Sequence, residues 1–148
     1  DLCGDGSALD ALRDAAAREG IDEVFHLHGY CLKPRMQAML NRSQVLIVPT
    51  TTDFIEGFNQ VVVEGILAGR PVITSSVCPA LDYVRDAVVE VGPNDVAGYG
   101  DAILVLQGDK SLYEQKREAC MKYQEQFYSP ERGWTAALRR ALRGIEQA

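Results

Sequence analysis

Val45-Leu46-Ile47-Val48 is apolar at four consecutive positions, is closed by Pro49, and is followed by Thr50-Thr51-Thr52-Asp53. A strand with one wet face alternates polar and apolar residues. A strand that is apolar throughout is buried on both faces, as happens inside a parallel sheet covered by helices. Val72-Ile73-Thr74 and Val88-Val89-Glu90-Val91 read as companion strands, and Val24-Phe25-His26-Leu27-His28 as a further one. Around them the apolar spacing changes to that of helices, over residues 8–19, 34–40, 59–68, 79–84, 96–106, 111–127 and roughly 130–145. Ser7 stands where a cap is needed and Gly20 where the first helix must stop. Strands and helices alternating through short connections predict an α/β chain, a Rossmann-like parallel sheet with helices on both faces, in one domain spanning residues 1–148. Asp1-Leu2-Cys3 leaves two or three strand residues before Gly4, so the first strand of such a sheet is expected upstream of Asp1.

Charge narrows the class of ligand. The formal net charge is −6, whereas nucleic-acid binding needs clustered Lys and Arg to neutralise phosphates, so a small molecule is expected in place of nucleic acid. Arg139, Arg140 and Arg143 form the basic cluster, read here as a solvated helix end that complements the helix dipole; a membrane contact has no other support in the sequence. No apolar stretch approaches the roughly 20 residues that span a bilayer, and a cytoplasmic protein is expected. Cys3, Cys31, Cys78 and Cys120 are widely spaced and lack the pairing of a zinc site or redox dithiol, which predicts reduced, mostly buried thiols.

The most pointed polar residues are Glu56 and Glu64, eight positions apart across the start of the helix that follows the 45–48 strand. Ligands of open α/β sheets bind beyond the carboxyl ends of the strands. A helix N-terminus presents N–H groups and positive potential to an anion, while carboxylates accept hydrogen bonds from hydroxyls. Eight helical residues span about 12 Å at 1.5 Å each, room for a diphosphate between two hydroxyl-bearing groups. That combination describes a nucleotide-sugar. Gly57 lets backbone approach the ligand, and Val61, Val62, Val63, Ile66 and Leu67 make a poor intrinsic helix but a good buried one.

Other arrangements carry less. His26 and His28 alternate on one strand but have no third ligand nearby, which argues against a metal. Gly4-Asp5-Gly6 lacks the third glycine and the acidic ribose partner of a dinucleotide site. Ser75, Ser76 and Cys78 have no histidine to activate them and read as a hydroxyl-lined loop, as do residues 50–53. Tyr128 and Trp134 are expected to pack the last helix onto the body.

Taken together, Val45-Leu46-Ile47-Val48-Pro49, Glu56-Gly57-Phe58 with Glu64, and Gly65-Ile66-Leu67-Ala68-Gly69-Arg70-Pro71-Val72-Ile73-Thr74-Ser75 resemble the C-terminal half of group 1 glycosyltransferases, also called family 4. Gly4-Asp5-Gly6-Ser7 is similar to the family's Gly-Asp-Gly-Pro turn, residues 24–29 to its Val-x-Phe-x-Gly strand, and Phe127-Tyr128-Ser129 to the start of its closing helix. Three positions depart from it: Asn59 stands for Gly, Gly65 for Ala, and Asp82 for the commoner Glu.

The resemblance implies a retaining hexosyltransferase of GT-B architecture, moving a sugar from a nucleotide-sugar to a hydroxyl acceptor without metal or cofactor. It implies that Glu56 holds donor-sugar hydroxyls and Glu64 the ribose, that Gly57, Phe58 and Asn59 face the sugar and diphosphate, and that the Tyr30-Cys31 loop lies near the base. The acceptor-binding N-terminal domain would be the partner of residues 1–148, so this chain alone should be inactive, with its catalytic residues unassigned and any peripheral membrane attachment a property of the whole protein. A nucleotide-sugar-binding module without activity, or another GT-B-like enzyme such as a sugar-nucleotide epimerase, is the alternative.

Overall fold

The computed structural model describes residues 1–53 and 56–146. Its contacts divide the chain into two compact units, Asp1–Ser43 and Gln44–Ala148.

In the first unit, α1 (Leu9–Arg18) and α2 (Lys33–Arg42) flank a minimal parallel pairing, the bridge between Leu2 and Leu27. Leu2 N–H donates to the His26 carbonyl at 2.8 Å and His28 N–H to the Leu2 carbonyl at 2.9 Å. The strand expected over residues 24–28 is therefore mostly absent. Residues 22–24 form a turn because the Ile21 carbonyl accepts from the Val24 and Phe25 amides, at 3.0 and 2.8 Å, leaving Val24 73% exposed. Local hydrogen bonding has overridden β propensity there. Ser7 likewise does not cap α1; Ala8 takes the N-cap position with helical angles and no side-chain bond. Gly20 does end the helix, in the left-handed region at φ 66°.

The second unit holds β1 (Leu46–Val48), β2 (Val72–Ser75) and β3 (Val88–Val91), all parallel in the order β1-β2-β3. Leu46 pairs with Val72, and Val72 with Val88. Helix α3 (Gln60–Leu67) connects β1 to β2, and α4 (Leu81–Val84) with the 3₁₀ turn Arg85–Ala87 connects β2 to β3. Then come α5 (Val96–Gly108), α6 (Lys110–Tyr128), the 3₁₀ turn Pro130–Arg132 and α7 (Trp134–Glu146).

Successive β2 side chains point to opposite faces and so belong to different cores. Val72 joins Val48, Val62, Ile66, Leu81, Val84 and Val88, beneath α3, α4 and Cys120 of α6. Ile73 joins Val91, Ala102 and Leu106 beneath α5. Helices thus cover both faces of β2, whereas β1 buries Val48 but leaves Ile47 44% exposed, so the expectation of burial on both faces fails in part for the 45–48 run. Tyr128 and Trp134, expected to pack the last helix onto the body, are exposed.

Gly65 sets how closely α3 lies on the sheet. A Cβ there would come within 2.7 Å of Leu46 Cδ2 and 2.9 Å of Val72 Cγ2, so a residue larger than glycine requires the β1 and β2 side chains to move. That close approach accounts for glycine at a position where alanine was anticipated.

Candidate functional site

Three loops leave the carboxyl ends of β1, β2 and β3, and buried hydroxyls tie them together. Thr74 Oγ1 donates to the Val48 carbonyl at 2.6 Å, and Ser75 Oγ to the Thr50 carbonyl at 2.6 Å. The Thr50 and Thr74 hydroxyls are 3.3 Å apart. Thr74 and Ser75 are fully buried, so each hydroxyl meets a backbone acceptor that would otherwise lack water. On the far side, Asn94 Nδ2 reaches Thr52 Oγ1 at 3.4 Å from the turn after β3, where Asn94 adopts φ 61°. The backbone leaving β1 is therefore fixed before it turns into α3. Ser75 is a structural clamp with its proton committed: it ends β2 and is fully buried, so it does not line a loop as expected, while Cys78 is buried and Ser76 is exposed.

Asn59 is the pivot of the site. It is 5% exposed and is the N-cap of α3: its Oδ1 accepts the Val62 amide at 3.2 Å, while its Nδ2 donates to the Glu56 carboxylate. Asparagine suits an N-cap because its short amide reaches the orphan donors of the first turn. Here the same amide also orients an acid three residues upstream. A carboxylate has about four lone-pair sites, so one bond from Asn59 leaves capacity for other hydroxyl donors. Gly57 is exposed, and a Cβ on it would meet nothing within 4 Å, so space beside this backbone is open. Glu64 lies one turn into α3 and is half-buried, as is Glu56.

Phe58 has a partner that sequence reasoning did not assign. Its ring meets Tyr83 of α4 edge to face, with centroids 5.5 Å apart and planes at 81°. The rings remain 40% and 58% exposed respectively. Gln126 of α6 donates to the Tyr83 carbonyl at 3.3 Å, tying this short helix to a long one. No local signal could have joined Phe58 to Tyr83; they meet because β2 returns the chain to the same end of the sheet.

Tyr30 and Cys31 belong to the Asp1–Ser43 unit. Tyr30 is exposed at the bend after Gly29, which lies at φ 63°, and Cys31 is buried. In the same unit the His26 and His28 rings are 6.3 Å apart. His28 Nε2 contacts Asp1 Oδ1 at 2.6 Å, and its Nδ1 faces Arg35 at 2.9 Å. An arginine can only donate, which leaves Nε2 to carry the proton toward Asp1. Burial first, then the guanidiniums of Arg35 and Arg42 and the N-terminal charge, hold His28 below its usual pKa. Among the described residues, no group of three or more His, Cys, Asp or Glu is arranged to hold a metal ion.

A family model described as glycosyl transferases group 1 matches residues 1–109. The chain belongs to the group 1 glycosyltransferases. Solved structures agree on the fold. HepE from Anabaena, solved with UDP, is 16% identical with a TM-score of 0.77, covering 99% of this chain and 40% of HepE. WaaG, a glycosyltransferase involved in lipopolysaccharide biosynthesis, is 19% identical with a TM-score of 0.68, over 83% of this chain and 32% of WaaG. The pneumococcal O-GlcNAc transferase GtfA, solved with UDP and GlcNAc, is 20% identical with a TM-score of 0.76, over 99% of this chain and 29% of GtfA. No curated protein matches. The group 1 chain described here thus has the α/β fold of GT-B glycosyltransferases and spans less than half the length of these structures.

Proposed function

We propose that residues 1–148 are the donor-binding, C-terminal half of a family 4 retaining hexosyltransferase, which moves a sugar from a nucleotide-sugar to a hydroxyl acceptor bound by an N-terminal domain. The observation that carries this reading is the double engagement of Asn59, which caps α3 and holds the Glu56 carboxylate at the carboxyl end of a parallel sheet. Family membership supplies the context, and the UDP bound by HepE and GtfA supports a nucleoside diphosphate as part of the ligand.

In this reading Glu56 accepts hydroxyls of the donor sugar and Glu64 those of the ribose, with the diphosphate between them at the start of α3. The Asn59 cap uses the Val62 amide, so the amides of Gln60 and Val61 are the ones left to the diphosphate. Together with the helix dipole they stabilise the negative charge that grows on the departing diphosphate. Gly57 supplies clearance and Phe58 a wall. No metal or cofactor is invoked, and residues 1–148 by themselves turn over no substrate.

Calorimetric titration with UDP and with UDP-, GDP- and ADP-sugars tests the assignment. Glu64→Gln is expected to weaken nucleotide and nucleotide-sugar alike by roughly tenfold, the scale of one hydrogen bond to a charged group. Glu56→Gln should weaken only the sugar-bearing ligand. Parental affinity in both variants would show that the two glutamates do not hold the donor.

A further inference from the structure

Three hydrogen-bond donors converge on one carbonyl at the exit of β1. The Val48 carbonyl accepts the Thr50 amide at 2.9 Å, the Thr74 hydroxyl at 2.6 Å and, more distantly, the Tyr99 phenol at 3.5 Å. An amide bonded to the carbonyl two residues earlier closes a γ-turn, and a proline at its centre has the negative φ of the inverse form. The chain therefore swings out of the strand at Pro49, and one side chain from β2 and one from α5 pin the turn that swings it. Further along the same segment, Ser75 holds the Thr50 carbonyl and Asn94 reaches the Thr52 hydroxyl. Glu56 follows four residues after Thr52 and is held from the α3 side by Asn59.

Packing alone does not call for a hydroxyl at position 74. Thr74 is fully buried, and a valine would fill the same space without a polar group to satisfy. The Thr50 amide already occupies one lone pair of the Val48 carbonyl, so the turn closes without Thr74. What the hydroxyl adds is direction: it ties the Pro49 turn to β2 and so selects one path for the segment that leads to Glu56. The nucleotide end of the site has a separate support. Glu64 and the amides of the first turn belong to α3, which Val62 and Ile66 seat in the core. We infer that Thr74 is a positioning residue for recognition of the donor sugar, acting through the Pro49 turn on the placement of Glu56, with Tyr99 as a weaker second pin. The inference rests on the reading of Glu56 as a holder of donor-sugar hydroxyls.

The 148-residue chain is titrated calorimetrically with UDP, GDP and ADP and with their glucose conjugates, and variants are compared by the ratio of conjugate affinity to nucleotide affinity. Thr74→Val is expected to lower that ratio about fivefold, the scale of one hydrogen bond, through the conjugate alone. Tyr99→Phe should lower it about twofold, since its bond is the longest of the three. Thr74→Ser and Thr74→Ala lose the same methyl and differ only in the hydroxyl. The serine variant should keep the parental ratio and the alanine variant should fall with the valine one, a comparison that decides the matter even where Thr74→Val does not fold. An equal fall for nucleotide and conjugate would overturn the inference and assign Thr74 to the packing of the sheet. So would a serine variant as impaired as the alanine, or parental ratios in Thr74→Val and Thr74→Ala while Glu56→Gln lowers its own; the donor reading would then stand without a role for Thr74. A parental ratio in Glu56→Gln, or a parent chain that binds none of these ligands, would remove the donor reading and this inference with it.

Discussion

Helices α3 and α7 invert each other. Helix α3 is built from residues that disfavour helices, three consecutive valines, Gly65 and Ile66, and its Val62 and Ile66 are completely buried. Helix α7 is rich in Ala, Leu and Arg, which favour helices, and its apolar stripe is largely exposed. Packing against β1 and β2 holds α3 helical, whereas local propensity and its own amphipathic pattern hold α7. The candidate site sits on the helix whose position is dictated by the sheet. Its ligand-facing groups are consequently placed by the core, and disturbance of that core should reach them.

The sharpest way to break the contrast is to truncate one apolar side chain in each helix. Ile66→Ala is expected to cost about 2–5 kcal/mol because it leaves a cavity beneath α3, while Leu142→Ala should stay within about 0.5 kcal/mol; urea denaturation midpoints measure both. Next in size is Gly65→Val. The added methyls must displace Leu46 and Val72, at an expected cost of about 1–3 kcal/mol, with donor affinity falling alongside stability if the site rides on α3. Stability changing while donor affinity stayed fixed would separate the site from this helix.

A smaller effect isolates the cap. Asn59→Ala should destabilise by about 1 kcal/mol through loss of the bond to the Val62 amide. Asn59→Asp keeps a competent cap but sets a second carboxylate beside Glu56, so its stability should worsen as pH rises through the carboxylate range. Equal pH profiles for the parent and the Asp variant would dissolve the proposed tie between cap and acid. The mildest probe is Cys120 of α6, in the core beneath α3, where burial pushes the thiol up to about 11 from an ordinary 9.0. A neutral thiol favoured by the fold contributes stability below pH 9 that is lost as pH rises through about 11. Iodoacetamide at pH 9 should therefore spare native Cys120 and modify it in urea.

The elements of the second unit were legible in the sequence because their signals are redundant: uninterrupted apolar runs for β1 and β2, and helical spacing for α5 and α6. The 24–28 segment was not, since its alternating residues suit a strand equally well and the decisive fact is a carbonyl at Ile21 accepting two amides. Within the site, Glu56 and Glu64 could be singled out from their placement after β1, and Asn59 only through the family resemblance. The bond between Asn59 and Glu56 could not, because either side chain might have faced solvent. Tyr83, Thr74 and Asn94 escaped notice for a different reason: each matters through a partner 20 or more residues away, and only the parallel crossovers bring those partners together.

Strand β2 lies between β1 and β3 and has a separate apolar layer on each of its faces. Solvent can reach its amide protons only after neighbours on two edges and helices on two sides have all parted. Deuterium uptake along 72–75 should then follow the slowest clock in the Gln44–Ala148 unit, timing its global opening, while α7 exchanges early through fraying that leaves the rest untouched.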